Sequence, residues 1–278
     1  MTINCKGQLV DLSSPKVMGI LNVTPDSFYD GGNLTGGQQV LEQTEKMLMA
    51  GATFIDIGAY SSRPGADDVS EEQELQRIMP AVESLLRRFP DLLLSIDTFR
   101  GKVARECVQA GAAMVNDISA GLLDETMLPT VARLRVPYVM MHMRGNPRTM
   151  QGRTDYDNLI VDVLKYFSER IAETKALGMA DVIIDPGFGF SKTLEQNYGL
   201  LSHLELFKNL GRPLLVGLSR KSMIYRLLDT DPQNALNGTT ALNMAALLKG
   251  ANILRVHDVK EAMECVKLAE QMKSEIFS

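Results

Sequence analysis

Short apolar runs of three to five residues recur along the whole chain, and most end in a polar or charged side chain followed by a loop. The clearest are Met18-Gly19-Ile20-Leu21-Asn22, Leu93-Leu94-Ser95-Ile96-Asp97, Met114-Val115-Asn116, Val182-Ile183-Ile184-Asp185 and Ile253-Leu254-Arg255-Val256-His257. Runs apolar on both faces are the mark of parallel strands covered on both sides. Polar groups gathered at their C-terminal ends cost desolvation energy unless something binds them. In an α/β barrel that rim carries the active site.

Strands are expected near Val17–Leu21, Thr53–Ile57, Leu92–Ile96, Ala113–Val115, Tyr138–Met141, Val182–Ile184, Leu214–Val216 and Asn252–Val256. Between them lie patterns of helical period. The first, Gln38–Met49, has Val40, Met47 and Leu48 on one stripe and Gly51 as its stop. The second opens at Ser70 with Gln73 three residues on, a capping-box spacing. The others are expected at Lys102–Gln109, Glu125–Leu134, Asn158–Ala176, Leu194–Leu206, Lys221–Leu228, Asn237–Leu248 and Val259–Lys273. Eight βα units close a (β/α)8 TIM barrel, here a single α/β domain over residues 1–278. The barrel proper spans 16–278; residues 1–15 are an N-terminal extension whose segment Ile3–Val10 is expected to form a hairpin plugging the lower end. An open doubly wound sheet is the second choice.

Composition narrows the function. A net charge of -5 argues against a nucleic-acid partner. Three scattered cysteines, Cys5, Cys107 and Cys265, suit neither a disulfide framework nor a zinc site. The N-terminus has no signal-peptide core and no apolar run is of membrane length, so a cytoplasmic protein without membrane contact is expected.

The strand ends then carry the chemistry. Arg255 and His257 are two apart on a strand and point to one face. Beside a helix expected to be capped by Asp258 with Glu261, they form either an anion site or an internal ion pair. Asn22 offers a neutral oxygen suited to Mg²⁺ shared with phosphate oxygens and water, and the glycine-rich loop after it reads as a lid or as simple turn chemistry. Arg63, before Pro64-Gly65, can reach a phosphate or remain solvated. Asp97, Asn116 and Asp185 end three strands. They suit a ring rich in N–H donors, but also acid–base work, a metal, or the neutralisation of buried arginines. The stretch Asp185-Pro186-Gly187-Phe188-Gly189-Phe190-Ser191-Lys192 has Lys192 where a dinucleotide loop needs its third glycine, which excludes NAD. Lys221, delivered with Ser219 and Ser222 to a helix start, needs an anionic or acceptor-rich partner. His142 reads as a satisfied barrel histidine and His203 as helix surface.

Taken together, Gly19-Ile20-Leu21-Asn22-Val23-Thr24-Pro25-Asp26-Ser27-Phe28, Ser61-Ser62-Arg63-Pro64-Gly65, Ser95-Ile96-Asp97-Thr98, Asn116-Asp117, Asp185 to Phe190, Ser219-Arg220-Lys221 and Arg255-Val256-His257 resemble the dihydropteroate synthase family over nearly the whole chain. The resemblance implies an eight-stranded α/β barrel. It implies a transferase of folate biosynthesis that joins 6-hydroxymethyl-7,8-dihydropterin pyrophosphate to p-aminobenzoate, a target of sulfonamides, with Mg²⁺ as cofactor and a homodimer as assembly. It assigns the pterin ring to Asp97, Asn116, Asp185 and Lys221, and the pyrophosphate to Asn22 with its Mg²⁺, Arg63, Arg255 and His257. The p-aminobenzoate side falls to Phe28, Ser62, Pro64, Phe190 and Ser219. Asp97, Lys221, Arg255 and His257 are the residues expected to act in catalysis. One departure stands out: Ala59-Tyr60-Ser61-Ser62 replaces the family's usual Gly-Glu-Ser-Thr. A pterin-binding methyltransferase module, as in corrinoid-dependent methionine synthase, and a non-catalytic pterin-binding protein are the rivals. A third is a barrel aldolase with Lys221 as Schiff base.

Overall fold

The computed structural model describes residues 1–23, 35–60 and 69–274. Ten strands occur among the described residues. β1 (Thr2–Cys5) and β2 (Gln8–Asp11) pair antiparallel; the other eight form one parallel sheet. These are β3 (Lys16–Asn22), β4 (Phe54–Gly58), β5 (Leu93–Asp97), β6 (Met114–Asp117), β7 (Tyr138–Met141), β8 (Val182–Asp185), β9 (Leu215–Val216) and β10 (Ile253–Val256). Their order is β8-β7-β6-β5-β4-β3-β10-β9, and a parallel bridge from Ile184 to Leu214 brings the two edges together. The sheet therefore closes as a barrel rather than opening as a doubly wound sheet.

Helices follow the strands: α1 (Thr35–Met49), α2 (Glu71–Arg88), α3 (Gly101–Gln109), α4 (Met127–Leu134), α5 (Leu159–Ala176), α6 (Leu194–Ser202), α7 (Ser222–Tyr225), α8 (Leu236–Leu248) and α9 (Val259–Ser274). Local chemistry explains their limits. Ser70 and Gln73 form the reciprocal capping box of α2. Gly51, at φ +102°, returns its N–H to Leu48 behind α1. α4 starts two residues later than expected because the Asp124 carboxylate takes the N–H groups of Thr126 and Gly101. α6 stops at Ser202, where the His203 N–H is shared among three carbonyls, and the chain tightens into a 3₁₀ stretch over Leu204–Leu210. α7 is a single turn, shorter than the expected Lys221–Leu228, and the chain turns away at Asp229 with φ +47°.

Two apolar cores result. The larger lies between strands and helices. There Gly19 lets the Met47 sulfur approach β3; a Cβ at that position would fall 2.5 Å from it. The smaller core is the barrel floor. Ile3, Cys5 and Val10 of the β1–β2 hairpin, with Leu12, pack on Met18, Phe54, Leu93, Ala113, Met114, Val139, Ile183, Leu215 and Ile253, which stand at or beside the N-terminal ends of the strands. The hairpin plugs the lower end, leaving the opposite rim as the open end of the barrel among the described residues.

Candidate active site

The rim is assembled from the last residues of different strands. Asn22 ends β3, Asp97 ends β5, Asn116 stands in β6, Asp185 ends β8 and Arg255 stands in β10. Arg255 is the hub. Its Nε donates to Asp56 Oδ2 and its Nη2 to Asp97 Oδ2, each at 2.6 Å. Asn116 Nδ2 donates to the same Asp56 oxygen at 2.9 Å. Burial disfavours the Arg255 charge, but Asp56 and Asp97 outweigh it and hold the pKa above the ordinary arginine value. Asp97 is pushed up to about 7 by burial, opposed by Arg255. Ion pairing of this kind loses most when one partner is removed, because the other charge stays buried.

Asp185 and Lys221 form the second part. Asp185 Oδ1 accepts the Gly187 N–H at 2.8 Å, and burial raises its pKa against the pull of Lys221. Lys221 Nζ donates to the Phe188 carbonyl at 2.5 Å and lies 5.0 Å from the centre of the Phe190 ring. Burial lowers its pKa to about 8, with Asp185 acting the other way. Ser219, buried, places its hydroxyl 3.1 Å from His257 Nδ1 and accepts the His257 backbone N–H at 3.1 Å. The His257 side chain itself is exposed at the rim.

The structure thus brings together Asp97, Asn116 and Arg255 in one hydrogen-bonded network, with Asp185 and Lys221 in electrostatic reach of Arg255. Ser219 and His257 form a separate pair. Phe28, Ser62, Arg63 and Pro64 lie outside the described residues, as does the glycine-rich loop after Asn22. Asp258 gives its carboxylate to Arg220, with both oxygens engaged at 2.8 and 2.9 Å. His142 is buried with its ring edge-on to Tyr166, and His203, just past the end of α6, bonds back to the Gly199 carbonyl through Nδ1.

Sequence reasoning passed over Asp56. The signal was present: Phe54-Ile55-Asp56-Ile57 places one acid inside an apolar strand, and such an acid requires a partner. Lys192, which the sequence pattern marks only as a missing glycine, is buried and bonded to His142. Among the described residues no group of three or more His, Cys, Asp or Glu side chains is placed to hold a metal. A hard cation here would take an amide oxygen, and Asn22, exposed at the end of β3, is the donor of that kind.

The rim thus gathers two carboxylates, an amide, a guanidinium and an ammonium at the C-terminal ends of neighbouring strands. A family model described as "Pterin binding enzyme" matches residues 18–257. Dihydropteroate synthase of Escherichia coli K12 is 46% identical over 272 residues, 97% of this chain and 96% of its own length. That of a Synechocystis strain is 46% identical over 259 residues, covering 92% and 89%. The Yersinia pestis dihydropteroate synthase, solved with a sulfonamide drug complex, superposes with a TM-score of 0.92 at 46% identity, covering 99% of this chain and all of the other. The Xanthomonas albilineans dihydropteroate synthase with 4-aminobenzoic acid gives 0.90 at 39% identity, covering 98% of each chain.

Proposed function

The chain belongs to the pterin-binding enzyme family and is a transferase of folate synthesis with dihydropteroate synthase activity, and from that premise we propose how its barrel mouth joins a dihydropterin pyrophosphate to p-aminobenzoate. The observation that carries the reading is the arrangement of Asp97, Asn116, Asp185 and Lys221 around the Arg255 hub. Two carboxylates accept from the amino and ring N–H groups of a pterin; Asn116 and Lys221 serve its carbonyl oxygen and ring nitrogen.

Reaction then breaks the C–O bond to pyrophosphate, which leaves with the electron pair. Positive charge develops on the exocyclic methylene of the pterin and is spread into the ring. The Asp97 carboxylate stands beside that ring and stabilises it. The aryl amine forms the new C–N bond and loses a proton to solvent. No covalent intermediate with the protein is needed. Arg255, where its Nη1 takes no partner among the described residues, and the exposed His257 hold the pyrophosphate, together with Arg63. Asn22 supplies the protein oxygen for Mg²⁺, which when bound neutralises charge on the leaving phosphates. Phe190 and Ser219, with Phe28, Ser62 and Pro64, shape the p-aminobenzoate side, the side at which a sulfonamide competes. We further propose a cytoplasmic homodimer, to be read by light scattering; no helix among the described residues is long and apolar enough to cross a membrane.

The test is incubation of the pure protein with 6-hydroxymethyl-7,8-dihydropterin pyrophosphate, with and without p-aminobenzoate and Mg²⁺. Dihydropteroate and pyrophosphate are expected in equal amounts only when all are present. Product formed undiminished in excess chelator would remove Mg²⁺ from the reading, and tight pterin binding without product would remove the transferase step.

A further inference from the structure

Lys192 is a buried cation with an unusual set of partners. Its side chain is 6% exposed, and no described carboxylate lies within ion-pair distance. Buried lysines are rare without such a partner. Instead Nζ meets three acceptors, each at 3.0 Å: the Gly187 carbonyl, the Phe190 carbonyl and His142 Nδ1. Burial pulls the Lys192 pKa down to about 7 against the attraction of Asp185, but three acceptors use all three donors of an ammonium group, and a neutral amine has only two. His142 is kept neutral, its pKa lowered well below the ordinary value by burial and by Lys192, so its Nδ1 can accept.

The two carbonyls belong to the loop between β8 and α6, on either side of Phe188. That loop folds back on β7. The His142 N–H donates to the Asp185 carbonyl at 2.9 Å, and Phe190 N–H to the Gly187 carbonyl at 3.1 Å. Gly187 sits at φ +72°, and a Cβ there would fall 2.1 Å from the His142 carbonyl oxygen. Only glycine tolerates both conditions. The loop carries two groups of the pterin pocket's framework. The Gly187 N–H fixes Asp185, and the Phe188 carbonyl fixes Lys221.

We propose that Lys192 is a positioning residue for the pterin side of the reaction, its ammonium acting as an internal clamp that sets the loop and thereby the placement of Asp185 and Lys221. It touches no substrate. Asn197 also pins the loop, accepting from the Gly189 N–H at 2.7 Å, so the clamp is needed for alignment rather than for the existence of the turn. The inference rests on the pterin reading of this pocket, and its test is built to separate the two.

Lys192→Met keeps an unbranched stem out to the ε position and removes the ammonium. Binding of an unreactive pterin is measured by calorimetry, and KM and kcat are measured for each substrate. The expected result is at least a tenfold loss of pterin affinity, a matching rise in the KM for the pterin pyrophosphate, and a KM for p-aminobenzoate within twofold of the unaltered protein. Pterin affinity within twofold of the unaltered protein, or both KM values rising by the same factor, would overturn the clamp. If Lys192→Met does not fold, His142→Leu and His142→Gln decide. Leu removes the acceptor and is expected to weaken pterin binding at least threefold relative to Gln, whose amide oxygen replaces Nδ1; equal affinities overturn the inference. Failure of the unaltered chain to bind the pterin at all would sink the pocket reading and the clamp together. Binding without dihydropteroate formation would sink the synthase step alone and leave the clamp to the affinity comparison.

Discussion

Asp56 and Asp97 hold one guanidinium between them: Arg255 Nε meets the first and Nη2 the second, both at 2.6 Å, across neighbouring strands β4 and β5. Asp56 is fully buried and also accepts from Asn116, whereas Asp97 reaches the rim. The inner acid therefore orients the arginine and the amide, while the outer acid is the one open to the barrel mouth.

Removing the inner acid leaves Arg255 half-paired in a buried setting. Asp56→Ala is expected to lower the free energy of unfolding by about 3–5 kcal/mol, read by urea denaturation, and to reduce turnover with it. Asp97→Asn is expected to cut turnover by orders of magnitude with near-native stability. Should Asp56→Ala unfold at the same urea concentration as the unaltered protein, the hub assignment fails.

The pH response has two limbs. Asp97 titrates near 7 and Lys221 near 8. Pterin binding that needs the carboxylate ionised and the amine protonated should rise through pH 7 and fall above pH 8. Lys221→Arg is expected to move the alkaline limb up while lowering activity. The stability effect of Asp97 has the opposite sign. Its folded pKa lies above the ordinary 3.8, so the folded state binds the proton more tightly. The stability this confers is complete below about pH 4 and is lost as pH rises towards 7. Unfolding curves of Asp97→Asn should lack that decline, and an unchanged slope would count against it.

Cys5 and Cys107 are buried and pushed up to about 12 by desolvation, and Cys265 is buried and raised as well. At pH 8 thiolate is scarce at all three. A chromogenic disulfide reagent should release almost no thiolate from the native protein over an hour and three equivalents after denaturation. Rapid reaction of one thiol in the native state would show that its pocket opens.

Asp117 is buried, and its carboxylate receives Tyr138 Oη at 2.6 Å together with the Ser119 hydroxyl and the N–H groups of Ser119 and Gly121. Tyr138→Phe removes one of these donors and should cost about 1–3 kcal/mol. Differential scanning calorimetry is the measurement, with kinetic constants expected to stay near those of the unaltered protein.

Strand and helix order were legible because a parallel strand buried on both faces reads as an apolar run, and Tyr138–Met141 matches its expected limits to the residue. The rim residues were legible because each interrupts or ends such a run. Asp56 was harder: it lies one turn of the pleat below the rim, and only its partner Arg255, 199 residues away, gives it meaning. Lys192 was hidden for a related reason. Its three acceptors are two backbone carbonyls and a ring nitrogen, none of which sequence spacing reveals. Asp258 stands at the N-cap position of α9, its carbonyl taking the Ala262 N–H, but its carboxylate does not cap: Arg220, four residues beyond the end of the short β9, takes both oxygens.

The floor of the barrel has a further consequence. Its plug is made of Ile3, Cys5, Val10 and Leu12, and its packing partners are apolar side chains at the far ends of the strands from the rim. The packing that closes the barrel floor and the charged network at the rim thus lie at opposite ends of the strands. Substitutions in the first dozen residues therefore act on a core that contains none of the rim side chains.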